Sequence, residues 1–97
     1  MNRVRYTQDQ AEALALDCLT WLLRHDELLP VFLGATGSAA GDLRARAQDA
    51  DFLGSVLDFI LQDDAWVLDF TNTAGLPPEA PMQARAALPG GTAMHWT

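Results

Sequence analysis

Apolar side chains recur along residues 49–62 with the spacing of an α-helix, and they cover more than half of its circumference. The apolar positions are Phe52, Leu53, Val56, Leu57, Phe59, Ile60 and Leu61. A surface helix usually carries a single apolar stripe, so a helix covered this broadly needs neighbours on several sides. The pattern therefore predicts a central core helix near residues 50–62.

A first helix is predicted to begin after Thr7. Thr7 and Gln10 have the spacing of a capping box, in which each side chain binds a backbone N–H group of the other residue. We expect Arg24 and His25 to close the helix, where cationic side chains meet unpaired carbonyl groups. Its expected core face consists of Ala11, Leu14, Ala15, Cys18, Trp21 and Leu22.

Two short helices are predicted between residues 26 and 48. Asp26 is the expected cap of the first, which should end in the glycine-containing segment 34–37. Ser38 is the expected cap of the second, over residues 39–48. Within it, Asp42 and Arg46 have the four-residue spacing of a helical ion pair.

Acidic caps and a glycine delimit the later helices. Asp49 is the expected cap of the central helix, and a fifth helix should open at Asp63 or Asp64 and end at Gly75. A last helix is expected over residues 79–88. Together these elements predict a compact all-α bundle of five or six short helices.

Composition agrees with a single all-α domain. The chain has 97 residues, of which 49% are hydrophobic, with a bias towards the strong helix formers Ala and Leu. We expect one helical domain over residues 7–89, a flexible N-terminus over residues 1–6 and a flexible tail over residues 90–97.

Net charge argues against a nucleic-acid partner. Thirteen acidic residues outnumber six arginines, there is no lysine, and the formal charge is −7. Such a surface repels phosphate backbones, whose binding depends on Lys and Arg. No segment approaches the 18 to 20 apolar residues of a membrane span, and residues 1–6 lack the apolar run of a secretory signal. We therefore expect a cytoplasmic protein that binds neither nucleic acid nor membrane.

Candidate chemistry is sparse. The single cysteine, Cys18, lies on an expected core face and excludes an internal disulfide or a cysteine-rich zinc site. Segment 49–54 opens like a calcium loop but has Leu53 and Ile60 where that loop needs oxygen ligands. His25 and His95 have no ligand-spaced partner. We predict no catalytic residue, no cofactor and no metal.

Two groups of side chains are candidates for binding a partner. Aromatic anchors dominate interfaces when they are exposed, which points to Trp21, Trp66 and Phe70. Arg44 and Arg46 form a cationic pair that could recognise a carboxylate on a partner. The alternative for the arginines is local pairing with Asp42 or Asp49.

Most of the chain, from Ala11 to Pro89, resembles the DUF3572 family of uncharacterised bacterial proteins. The resemblance is carried by residues 13–16 with Leu19 and Leu22, Phe32-Leu33-Gly34-Ala35-Thr36-Gly37, Asp42-Leu43-Arg44-Ala45-Arg46-Ala47, residues 52–59 and Gly75-Leu76-Pro77-Pro78-Glu79. It implies a bacterial, cytoplasmic helical domain, and it implies no site residues.

Three hypotheses for function follow from these features. The leading one is a non-enzymatic, acidic helical module that binds another protein or a second copy of itself. The alternative is a carrier of a small apolar ligand, held between the central helix and its neighbours. The third is an enzyme without a recognisable motif, which would need Asp58 or Asp69 in a cleft beside His25 or an arginine.

Overall fold

Six α-helices and one 3₁₀ turn form the fold of residues 5–90. The computed structural model describes residues 5–90, and no strand occurs among them. The helices are α1 (Gln8–Leu23), α2 (Leu29–Thr36), α3 (Leu43–Arg46), α4 (Ala50–Ile60), α5 (Asp64–Ala74) and α6 (Ala80–Ala86), with the 3₁₀ turn at Ala40–Asp42. The all-α prediction is confirmed. The flexible segments predicted for residues 1–6 and 90–97 fall largely outside the described residues.

Three N-terminal helix caps are the ones expected from the sequence: Thr7, Asp49 and Asp63. Thr7 and Gln10 form the complete capping box. Asp49 Oδ1 accepts a hydrogen bond from the N–H of Asp51 at 2.9 Å, and Asp63 Oδ1 accepts one from the N–H of Ala65 at 2.8 Å. Each cap satisfies a backbone donor that the first helical turn leaves free.

The expected caps at Asp26 and Ser38 are wrong. α2 begins after Leu28 without a side-chain cap, because turn residues bonded to the His25 carbonyl lead the chain into it. The Ser38 hydroxyl is instead bonded to Thr36 at 3.0 Å. The helix predicted over 39–48 is a 3₁₀ turn followed by the four residues of α3.

α4 is a core helix, as its apolar pattern predicts. Seven of its eleven residues are buried, and it contacts α1, α5 and α6. α1 shares the central position, since it contacts α2, α4, α5 and α6. Phe32 of α2 packs edge-on against Phe52 and Phe59 of α4. α1 and α4 thus form the centre of the bundle, and α5 lies against both.

Candidate interaction surface

The solvent side of α1 carries large apolar residues. The core side buries all six residues predicted for it and Leu19 as well. Leu16 and Leu23 point the other way and are 41% and 47% exposed. They are seven residues apart, which places them on one helix face about 10.5 Å from each other along the axis. α1 therefore carries two large apolar residues outside its core face, among polar residues such as Asp17 and Thr20.

A hydrogen bond joins α1 to α5. The Trp21 indole N–H donates to Asp69 Oδ2 at 2.8 Å. Trp21 also packs edge-on against Phe70, with ring centroids 6.1 Å apart, and against His25, at 5.1 Å. These contacts hold the indole in one orientation at the surface between the two helices.

Beside this bond lies a shallow depression with a volume of about 310 Å³. We call it the α1–α5 depression; it is lined by Asp17, Thr20, Trp21, Arg24, Phe70, Thr73 and Ala74. Its floor is aromatic, because Trp21 and Phe70 are both buried, and its rim is polar. Thr20 links it to the exposed leucines, since that residue lies between Leu16 and Leu23 along α1.

Charge is unevenly distributed around the depression. We define the acidic half of the molecule as residues 8–28 and 63–74, which are α1, the turn after it and α5 with its cap. This half has eight carboxylates and one arginine, Arg24. The rest of residues 5–90 has five carboxylates and four arginines and is nearly neutral. The depression therefore lies in a strongly negative environment.

The three aromatic residues predicted to bind a partner occupy two places. Trp21 is 8% exposed and Phe70 is 1% exposed, so they form the floor of the depression rather than projecting anchors. Trp66 is half-buried and stacks on Phe59, with ring centroids 4.9 Å apart and planes 15° apart. The structure brings Trp21 and Phe70 together and places Trp66 outside the depression lining.

The two predicted arginines lie on α3. Both are exposed, and the Arg46 guanidinium lies 5.5 Å from the centre of the Phe52 ring, within the range of a cation–π contact. The expected pairing with Asp42 or Asp49 is not found: within residues 5–90 no ion pair includes Arg44 or Arg46. Asp42 closes a 3₁₀ turn, so the four-residue spacing of a regular α-helix does not apply to it.

One ion pair occurs among the described residues, and it involves Arg85, which the sequence did not single out. Arg85 Nε and Nη2 donate to the two carboxylate oxygens of Asp58 at 2.7 and 3.1 Å, and Nη1 donates to the Pro89 carbonyl at 3.0 Å. The guanidinium lies across Gly54: a Cβ on that glycine would be 2.9 Å from Nη1. This arrangement joins α6 and the segment after it to α4.

The Arg85–Asp58 pair meets part of the requirement for the enzyme hypothesis. An acid and an arginine do come together, but three guanidinium nitrogens already have partners and the Asp58 side chain is 56% exposed. Asp69 is bonded to Trp21, not to His25 or to an arginine. Asp58 thus joins α4 to α6, and Asp69 joins α5 to α1.

Cys18 is fully buried in the core. Burial raises the pKa of its thiol far above the ordinary value, and the negative charge of Asp17 adds to the effect. A neutral thiol is a poor nucleophile and a poor metal ligand, which fits a packing role. Across residues 5–90 no group of three or more His, Cys, Asp or Glu side chains is arranged to hold a metal.

A signal for the exposed leucines was present in the sequence. Leu16 and Leu23 lie outside the core face that the helical period assigns to α1. The depression itself had no such signal, because Trp21 and Asp69 are 48 residues apart and meet only in the folded chain.

Comparison with known proteins yields a family. The model of a family described as a protein of unknown function (DUF3572) matches residues 8–91, which include all six helices. No curated protein and no solved structure matches the chain. In the part of the chain that the structure describes, no helix is long and apolar enough to cross a membrane.

Proposed function

The chain belongs to the DUF3572 family, and we propose that it is a non-enzymatic module that binds another protein through α1 and α5. The observation that supports this proposal is the pair of exposed leucines, Leu16 and Leu23, on the outer face of a helix whose inner face is already in the core. A cytoplasmic setting belongs to the same proposal. It fits the single free thiol, because unpaired cysteines persist in reducing compartments.

Single exposed apolar residues are common on protein surfaces and need no explanation. The α1 leucines differ because they share one face and flank Thr20, which lines a depression with an aromatic floor. A partner side chain that entered the depression would contact Phe70 and the indole of Trp21, and the leucines would extend the contact along α1. Buried apolar contacts of this kind, surrounded by polar groups, are where interfaces gain most of their affinity.

The predicted binding residues enter this proposal in different ways. Trp21 and Phe70 contribute as the floor that receives a partner, not as side chains that insert into one. Trp66, Arg44 and Arg46 lie outside the depression lining, and a role for them in binding stays a prediction. Charge reversal at Arg44 that leaves partner binding unchanged would remove that residue from consideration.

The test is capture of partners from nuclease-treated lysate of the source cell with three tagged proteins. These are the wild type, the double variant Leu16→Ser/Leu23→Ser, and the control Val31→Ser, which changes a 52% exposed residue of α2. We expect one protein in stoichiometric amount with the wild type and with Val31→Ser, and its loss with the double variant. Circular dichroism should show that all three are equally folded.

Two results would contradict the proposal. One is equal capture by the wild type and the double variant, which would place binding elsewhere. The other is the absence of any stoichiometric protein from all three samples.

The depression also supports a second candidate function, a carrier of a small apolar ligand. Its volume of about 310 Å³ is at the lower end of small-molecule sites. A carrier isolated from its source cell should show an added mass in native mass spectrometry. The added mass should disappear when Thr73→Arg fills the depression, and a clean mass for the wild type would exclude the carrier.

A further inference from the structure

We propose that the partner binds with a cationic amphipathic segment, in which one bulky apolar side chain enters the α1–α5 depression and flanking Lys or Arg residues face the acidic half of the molecule. The proposal rests on the function proposed above and specifies the chemistry of the partner. Three observations carry it: the uneven charge, the form of the depression, and the positions of Asp17 and Arg24.

The charge indicates the sign of the partner. Eight carboxylates and one arginine lie on the helices that form the depression and on the turn after α1. Seven of these nine charged residues are exposed, so solvent screens the interaction between any two of their charges. Together the charges still attract cations over a distance of about 10 Å. Basic segments are favoured, and nucleic acids and anionic membrane surfaces are repelled.

The same charge disfavours a second copy of the chain as the occupant. Two copies that met through α1 and α5 would bring two acidic halves together. The large exposed apolar side chains on these two helices that could compensate are Leu16, Leu23 and Leu68. Like charges placed across an interface weaken association, so a partner of opposite charge fits this surface better.

The depression indicates where the apolar anchor binds. Trp21 and Phe70 give it an aromatic floor, and the bond from Trp21 to Asp69 fixes the indole before any partner arrives. Thr20 and Thr73 contribute polar atoms to its sides. A preformed pocket loses little conformational freedom on binding, which favours one inserted side chain over a flat contact.

Asp17 and Arg24 indicate the direction of the bound segment. Both line the depression. Asp17 is on α1 and Arg24 caps its C-terminus seven residues later, about 10.5 Å further along the helix axis. Within residues 5–90 neither belongs to an ion pair, so both charges are available to a partner. A segment with its cation near Asp17 and a carboxylate near Arg24 is expected to bind in that direction and not in the reverse one.

The experiment is selection from a displayed library of random helical peptides on the immobilised wild-type protein. Affinities of enriched peptides are then measured for the wild type, for Thr73→Arg and for the control Asn72→Arg. Both positions are exposed on α5, and both variants add one positive charge, but only Thr73 lines the depression. The difference between the two variants therefore isolates the depression from the general effect of charge.

We expect enriched peptides to carry an excess of Lys and Arg beside at least one bulky apolar residue. Their affinity should fall at least tenfold with Thr73→Arg and much less with Asn72→Arg, and it should fall as salt is raised. Equal losses with the two variants would overturn the assignment to the depression. Enrichment of neutral or acidic peptides would overturn the partner chemistry and leave the proposed function standing. No enrichment at all, together with empty captures from lysate, would overturn both.

Discussion

Replacement of Gly54 by alanine tests the packing of α4 against α6. In the middle of a helix, alanine is more stable than glycine by roughly 0.5–1 kcal/mol, because glycine loses more conformational freedom on folding. Gly54 lies within α4 and would normally follow this rule. Here a Cβ would be 2.9, 3.1 and 3.3 Å from Nη1, Cζ and Nη2 of Arg85. We therefore expect Gly54→Ala to lower the free energy of unfolding.

The magnitude follows from what Arg85 would lose. Its guanidinium can move away from a new methyl group only by stretching or breaking bonds to Asp58 and Pro89. Hydrogen bonds to charged groups contribute about 1.5–3 kcal/mol, and we discount this to about 1–2 kcal/mol because the Asp58 side chain is 56% exposed. When the gain in helix propensity of about 0.5–1 kcal/mol is subtracted from this loss, Gly54→Ala should destabilise the fold by about 0.5–1 kcal/mol.

A double-mutant cycle separates the two effects. With Arg85→Ala already in place, the space next to Gly54 is free, and Gly54→Ala should stabilise by about 0.5–1 kcal/mol. The expected coupling energy is therefore about 1–2 kcal/mol. Urea denaturation followed by circular dichroism on the four proteins measures it.

Gly34→Ala is the matched control, because Gly34 also lies in a helix and a Cβ there would meet nothing within 4 Å. It should stabilise in both backgrounds. Equal stabilisation by Gly54→Ala with and without Arg85 would refute the reasoning.

Three further changes have defined outcomes. Gly75→Ala should cost about 1–2 kcal/mol in thermal or urea unfolding, because Gly75 ends α5 at a φ of 72°, where a Cβ is strained; no loss would contradict this. Asp69→Ala should cost about 1 kcal/mol and speed exchange of the Trp21 indole N–H, and Asp69→Asn, which keeps an acceptor, should cost less. Burial raises the pKa of Cys18 from 9.0, so the stability it contributes is complete below about pH 9 and is lost as pH rises further. Urea titrations between about pH 8 and 10 should show that the free energy of unfolding declines more steeply for the wild type than for Cys18→Ala. Parallel curves for the two proteins would exclude this contribution of Cys18.

Local chemistry explains which helix ends could be predicted. Asp49 and Asp63 precede apolar runs and satisfy nearby N–H groups, so their role depends on only a few neighbouring residues. Asp26 and Ser38 look similar in sequence, but their segments are short and enter helices through turns. In such segments the tertiary fold decides the backbone path, and a side-chain cap has less effect.

The candidate surface could be predicted only in part. The apolar period of α1 assigns the core face and leaves Leu16 and Leu23 outside it. The contact of Trp21 with Asp69 depends on how α5 crosses α1, which no local pattern encodes. For the same reason the sequence predicts Trp21 and Phe70 as exposed anchors, although together they form the buried floor of one depression.

The contact between Gly54 and Arg85 also restricts the order in which these two positions can change during evolution. While Arg85 is present, any side chain at position 54 meets its guanidinium, so we expect substitutions there to destabilise the fold. Once Arg85 is lost, position 54 is free to accept alanine and gain helix propensity. Relatives without the arginine should therefore vary at the glycine, and relatives that keep the arginine should keep the glycine too.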